Sequence, residues 1–130
     1  MSRRPHDRGS ISVVLIILLV MALAGAGLVV DGGRAMVARR HASNTAEASA
    51  RAAVATATPV SGFDRDIART AALSYANRAG VVAADVQVKV GVDFVTVTIT
   101  ERRETVFLIL GGQETMTVHA SGTARVAYTD

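Results

Sequence analysis

Side chains able to perform catalysis or bind metals are few in this 130-residue chain, and they lie far apart. The three histidines are His6, His41 and His119, and none stands near a cysteine or an acidic pair at metal-ligand spacing. Asp64 and Asp66 could serve general acid–base chemistry, but they open a predicted helix, where carboxylates complement the helix dipole. Cysteine is absent, which excludes thiol catalysis and disulfide bonds.

A phosphate-binding loop at Asp31-Gly32-Gly33 is the remaining candidate site. Such loops carry a Lys-Ser or Lys-Thr pair and follow a strand, and this stretch has neither. The nucleophile motif G-x-S-x-G is also missing from the sequence. We therefore predict no enzyme activity, no metal, no cofactor and no small-molecule substrate, and we interpret residues 31–33 as the exit from a membrane.

Charge is distributed unevenly along the chain, which has 14 Lys and Arg against 11 Asp and Glu. Arg3, Arg4 and Arg8 against Asp7 give the first ten residues a charge of +2, and the 11 basic and 10 acidic residues from position 31 onward add +1. A nucleic-acid-binding domain needs a basic face, so we predict no nucleic-acid binding. Basic residues in front of an apolar segment indicate membrane topology instead.

Residues 11–30 form an apolar segment in which Ser12 is the single polar residue. As a helix, 20 residues extend about 30 Å, which matches the hydrocarbon core of a bilayer. We predict a basic cytoplasmic leader at residues 1–10 and a transmembrane helix at residues 11–30. Because the short leader needs no translocation, we place the N-terminus inside and the C-terminal domain outside the cytoplasmic membrane.

The apolar segment has two possible fates. Ala22-Leu23-Ala24 resembles a signal-peptidase site, and cleavage after Ala24 would release a small secreted binding domain. Hydrophobic residues resume directly after that site, at Leu28, Val29 and Val30, and make the segment long enough to span. We therefore predict retention as a membrane anchor and keep secretion as the alternative.

Helical character continues beyond the apolar segment, through residues 31–57. Alanine recurs there every three or four residues and forms one narrow stripe: Ala35, Ala38, Ala42, Ala46, Ala50, Ala53 and Ala57. Small residues allow close approach, so we expect this stripe to pack against a sheet or another helix. Gly25 and Gly27, near the end of the apolar segment, are further candidates for close helix packing.

Residues 58–130 predict a small α+β domain outside the membrane. Residues 63–79 have a helical pattern, and alternating residues over 86–92, 95–100 and 116–128 predict strands of an antiparallel sheet. The dense apolar run at residues 105–110 could be a short buried helix or a fourth strand. We expect it to pack in the core, with an exposed patch for a partner or the membrane surface as the alternative.

The N-terminal region resembles a known family. Its leader ends in RGS, an apolar helix follows, and the sequence LVVDGGRAMVARRHASNTAEASARAA comes next. This looks like the TadE/TadG-like proteins of tight-adherence (Flp) pilus assembly, especially actinobacterial members. The resemblance implies a pilin-like, membrane-anchored protein without enzyme activity. It also implies other pilus-assembly subunits as partners, which would contact the long helix and the head domain.

The same resemblance raises the question of processing. Pilin-type precursors are cut after a glycine, and the fifth residue of the product is usually Glu. A cut after Gly9 would make Ser10 the first residue and Val14 the fifth. Since no carboxylate lies in the span, we predict an unprocessed or minor assembly component in place of a major filament subunit.

Overall fold

The protein is described here by a computed structural model that covers residues 7–58 and 62–127. One uninterrupted helix, α1, runs over Asp7–Val54, 48 residues and about 72 Å in length. Gly32 and Gly33 lie inside it, and apart from the adjacent helix backbone no atom stands within 4 Å of the position of a Cβ at either residue. The helix runs through both glycines without a break. The predictions for residues 1–6, including His6, lie outside the described residues.

The helix ends three residues before the end that the sequence predicts. Just after the end of the helix, Oγ1 of Thr56 donates a 2.7 Å hydrogen bond to the carbonyl of Ala53. Thr58 and Gly62 then pair through two backbone hydrogen bonds of 3.1 and 2.9 Å, and Gly62 has a φ of 69°. These bonds close a turn between the two residues, and residues 59–61 inside it lie outside the described residues.

The second helix, α2, spans Arg65–Arg78. Asp64 caps it by accepting hydrogen bonds of 2.9 and 3.0 Å from the N–H groups of Asp66 and Ile67. Asp64 is therefore the residue before the helix, whereas the sequence pattern placed it in the first turn. Its buried face consists of Ala68, Ala72 and Ala76. Ile67 and Tyr75, which the helical pattern places with those alanines, are exposed.

The sheet has three strands in the order β1-β2-β3, with both pairs antiparallel. They are β1 (Val86–Val90), β2 (Phe94–Glu104) and β3 (Thr115–Arg125), and a short 3₁₀ turn, Ala83–Asp85, leads into β1. The expected α+β class, with a long N-terminal helix and a second short helix, is confirmed. Tyr128, predicted to continue the last strand, lies outside the described residues.

The core forms where α1 and α2 pack on one face of the sheet. Its largest fully buried apolar side chains are Val95, Val97 and Ile99 of β2, and they pack with alanines of both helices. Gly122 of β3 allows the closest approach, since a Cβ there would lie 2.6 Å from the carbonyl carbon of Ala46. The alanine stripe of α1 thus packs against both a sheet and a helix, which the sequence left as alternatives.

Residues 105–110 form neither a fourth strand nor a buried helix, and Thr105 is the one residue of this run that is buried. The chain makes a 3₁₀ turn at Leu108–Gly111, and that turn contains no buried residue. Leu110 is 87% exposed, and Val106 and Ile109 are also exposed. The expectation of core packing is therefore wrong, because the sheet ends before this segment and leaves it beside the apolar part of α1. We call residues 106–110 the apolar loop.

Candidate functional site where the apolar segment ends

The first half of α1 is largely exposed in the described part of the chain. Its large apolar side chains between residues 11 and 30 are 45% to 74% exposed. Beyond Asp31 the same helix becomes the centre of the α+β domain, with Ala38, Ala42 and Ala46 fully buried. By length and composition, this helix is long and apolar enough to cross a membrane.

Asp31 marks the change between the two halves. Its side chain is 1% exposed, and its carboxylate accepts three backbone hydrogen bonds from the apolar loop. Oδ1 accepts from the N–H of Val106 at 2.9 Å, and Oδ2 accepts from Phe107 at 2.9 Å and Leu108 at 2.8 Å. Asp31 therefore acts as the cap of the 3₁₀ turn, although it comes from a different element.

These hydrogen bonds also control the ionisation of Asp31, which lies just beyond the apolar segment. The N–H of Val106 is the largest cause of a lowered pKa for the carboxyl group, and burial acts against it. The N–H groups of Leu108 and Phe107 and the positive charge of Arg34 lower the pKa further. The carboxylate is therefore ionised at neutral pH, the state in which it accepts all three hydrogen bonds.

Gly27 provides a second contact one helical turn earlier. It lies on the same face of α1 as Asp31, since residues four positions apart are neighbours on a helix. The ring of Phe107 covers Gly27 so closely that a Cβ there would lie 2.7 Å from Cδ1 of the ring. Asp31 thus holds the backbone of the apolar loop, and Gly27 makes room for its aromatic side chain.

An apolar groove of about 650 Å³ remains between the helix and the loop. Val20, Leu23, Ala24 and Leu28 form the wall on α1, and the apolar loop forms the other wall. The base of the loop is closed by a 2.9 Å hydrogen bond from the N–H of Thr105 to the Glu114 carbonyl. The loop is therefore held at both ends while the groove stays open.

A second cluster joins α1 to the far end of β2. Glu101 continues the buried face of β2, and its carboxylate contacts Nδ1 of His41 and, at 2.9 Å, the guanidinium of Arg103. Nearby, Arg102 donates a 2.7 Å hydrogen bond to Asp85. We interpret the cluster as structural, because it satisfies a carboxylate that the strand alternation places in the core.

His119 lies on the exposed face of the sheet. His119 bonds Thr100 across the exposed face of the sheet at 3.0 Å, in a row with the pairs Thr96–Thr123 and Thr98–Ser121. Within residues 7–58 and 62–127, no three His, Cys, Asp or Glu side chains form a group that could hold a metal ion.

The glycines and alanines predicted to serve in packing or processing differ in whether they are buried or exposed. Ala38, Ala42 and Ala46 are buried inside the chain, Ala35 is half-buried, and Gly27 faces Phe107. The others are exposed on α1: Gly9, Ser10, Ala22, Ala24 and Gly25. Sequence reasoning missed Asp31, His41 and Glu101 as contact residues, since their partners lie 60 or more positions away.

Most of α1 matches the model of a known protein family. Residues 9–56 match the Flp pilus-assembly TadE/G-like family. This segment contains Gly27, Asp31 and the alanine stripe, so the resemblance noted from the sequence is confirmed over the long helix. No curated protein and no solved structure matches the chain significantly. The TadE/G-like match and the exposed apolar half of α1 together fit a membrane-anchored pilus component.

Proposed function

We propose that this protein is a non-enzymatic, single-pass component of a Tad/Flp-type pilus or secretion assembly. The observation that carries the proposal is the division of α1. Its first half exposes a continuous apolar surface, whereas its second half is the core helix of the domain. A helix of this kind anchors a small domain at a membrane surface, and the TadE/G-like match over residues 9–56 supplies the assembly context.

Packing with other subunits is the mechanism that we propose. The alanine stripe is occupied by the chain's own sheet and α2, so a neighbouring subunit must use other faces of α1. Met36 and Val37 are exposed just beyond Asp31, and the space around Gly25 is open. Gly25 would let the helix of a second subunit approach closely, and Met36 and Val37 would give it an apolar contact.

Topology and processing form the next part of the proposal. We place residues 1–10 in the cytoplasm and the α+β domain outside, as the arginine-rich leader favours. Cleavage after Gly9 would start the product at Ser10 without the usual glutamate at its fifth position. We therefore favour an unprocessed or minor component over the filament's major subunit.

The alternative function is a secreted binding domain, released by signal peptidase after Ala24. The Ala22-Leu23-Ala24 sequence supports it. Cleavage there would leave Gly27, Asp31 and the apolar loop on a soluble product. That product would expose the remaining wall of the groove to water, which disfavours this route.

Membrane fractionation with intact-mass analysis tests the two functions. The expected product stays in the membrane after alkaline carbonate extraction and retains residues 10–130 at least. An Ala24→Leu variant is expected to behave identically, with Ala26→Leu as a matched control outside the Ala-Leu-Ala site. A soluble product that begins at Gly25, trapped as a precursor by Ala24→Leu alone, would establish secretion instead.

A further inference from the structure

The apolar loop has the composition of a lipid-contacting element. It contains no charged residue, and the nearest charges along the chain are Glu104 before it and Glu114 after it. Val106, Phe107, Ile109 and Leu110 are exposed, and the side chain of Leu110 is the most exposed of them. A turn of this composition leaves a large apolar patch without cover on the described chain.

The position of the loop along α1 places that patch at a defined depth. The groove beside the loop reaches from Leu28 back to Val20. Val20 lies 11 positions before Asp31, which corresponds to about 16 Å along the helix axis. Because the apolar segment is about 30 Å long, the loop lies beside its C-terminal half. If that half is inside the hydrocarbon core, the loop must enter the same leaflet.

Hydrogen bonding prepares the backbone of the loop for that environment. Hydrocarbon provides no partner for a free N–H, so non-helical backbone lies at membrane depth only where the protein itself pairs and covers it. Asp31 accepts the N–H groups of Val106, Phe107 and Leu108. The N–H groups of Leu110 and Gly112 donate to carbonyls within the turn at 3.1 and 3.0 Å. The loop in turn covers the carboxylate of Asp31, which is 1% exposed.

We propose that the apolar loop is a second membrane-inserted element, and that lipid acyl chains of the leaflet next to the domain fill its groove. This inference rests on the proposed membrane anchoring. The occupant is lipid because one wall of the groove is the spanning helix itself, so the groove and the bilayer interior are continuous. Two insertions, one helix and one turn, fix the tilt and rotation of the domain relative to the membrane, which a single helix leaves free.

The absence of tryptophan from the chain allows a direct test with single-tryptophan variants of the full-length protein. Leu110→Trp probes the apolar loop, Leu23→Trp probes the spanning helix, and Val92→Trp probes the exposed β1–β2 turn. All three positions are exposed in the isolated chain, so we expect the fold to tolerate each substitution. Each variant is reconstituted at low protein density in phosphatidylcholine vesicles, with and without bromine on the acyl chains, and circular dichroism checks its folding.

The expected result is a blue-shifted emission from Leu110→Trp that brominated acyl chains quench nearly as strongly as that of Leu23→Trp. Val92→Trp is expected to emit as in water and to resist that quenching. If Leu23→Trp is quenched but Leu110→Trp behaves like Val92→Trp, the loop proposal fails and the anchor stands. If Leu23→Trp is not quenched, the anchor fails. A blue-shifted but unquenched Leu110→Trp means that protein covers the loop, which also overturns the proposal.

Discussion

Oδ2 of Asp31 accepts a 2.9 Å hydrogen bond from the backbone N–H of Phe107, although 76 positions separate the two residues. The ring of the same Phe107 lies on Gly27, one helical turn before Asp31. These two contacts fix the apolar loop to α1 at the boundary between its exposed and its buried half. The following expectations address this boundary and the packing behind it.

Replacing Gly27 with alanine should displace the loop. The new Cβ would stand 2.7 Å from Cδ1 of Phe107, so the ring must move, at a cost of about 1–3 kcal/mol for overpacking of this kind. Hydrogen exchange of the Val106, Phe107 and Leu108 amides should accelerate accordingly in reconstituted protein. Gly25→Ala is the matched control, because a Cβ there meets nothing within 4 Å, and equal acceleration in both variants would refute the Phe107 contact.

Asp31→Asn should release the same three amides without a change in side-chain size. The neutral amide group has one acceptor oxygen in place of two charged ones, and its NH₂ group cannot accept the remaining N–H bonds. Exchange at residues 106–108 is expected to be faster than in the wild type, while the amides of β2 stay protected. Asp93→Asn removes an exposed pair with Arg125 and should change neither region. Unaltered exchange at residues 106–108 in Asp31→Asn would contradict the capping role.

The docking of the loop should depend on pH through Asp31. Its pKa is lowered in the folded protein, mainly by the N–H of Val106, so the folded state favours the carboxylate. The stabilisation is therefore complete above the ordinary pKa of 3.8 and is lost as the pH falls below it, through the folded value. The emission of Leu110→Trp in detergent micelles should report this loss. A transition of the same size in the double variant with Asp31→Asn would show that another group is responsible.

Gly122→Ala should destabilise the whole α+β domain. A Cβ at this position would lie 2.6 Å from the backbone of α1 at Ala46, and backbone cannot move aside as a flexible side chain can. Separation of β3 from α1 should cost about 1–3 kcal/mol and lower the Tm of the detergent-solubilised chain. Gly32→Ala is expected to be neutral or slightly stabilising, since its site is open and alanine favours a helix. A Tm for Gly122→Ala at or above that of the wild type would mean that α1 and β3 do not pack this closely.

Local patterns in the sequence determined much of this molecule. The apolar run of residues 11–30, the alanine spacing that follows and the alternation of the strands each specify an element, because helices and strands impose their own periods on a chain. The i,i+4 pair of Glu47 and Arg51 is local in the same sense, and it forms at 2.9 Å. The resemblance of residues 9–56 to pilus-assembly proteins is likewise readable from one continuous segment.

Only the tertiary structure decided which of these elements meet. The partners of Asp31 and His41 come from β2 and the segment after it, and no periodicity in α1 indicates a hydrogen bond to a residue 60 or 75 positions away. The apolar run at residues 105–110 was misassigned to the core for the same reason. A run of apolar residues is equally compatible with a position in a protein core and with a position beside a membrane-spanning helix. The difference lies in what the folded sheet places next to it, and that depends on packing across the whole chain.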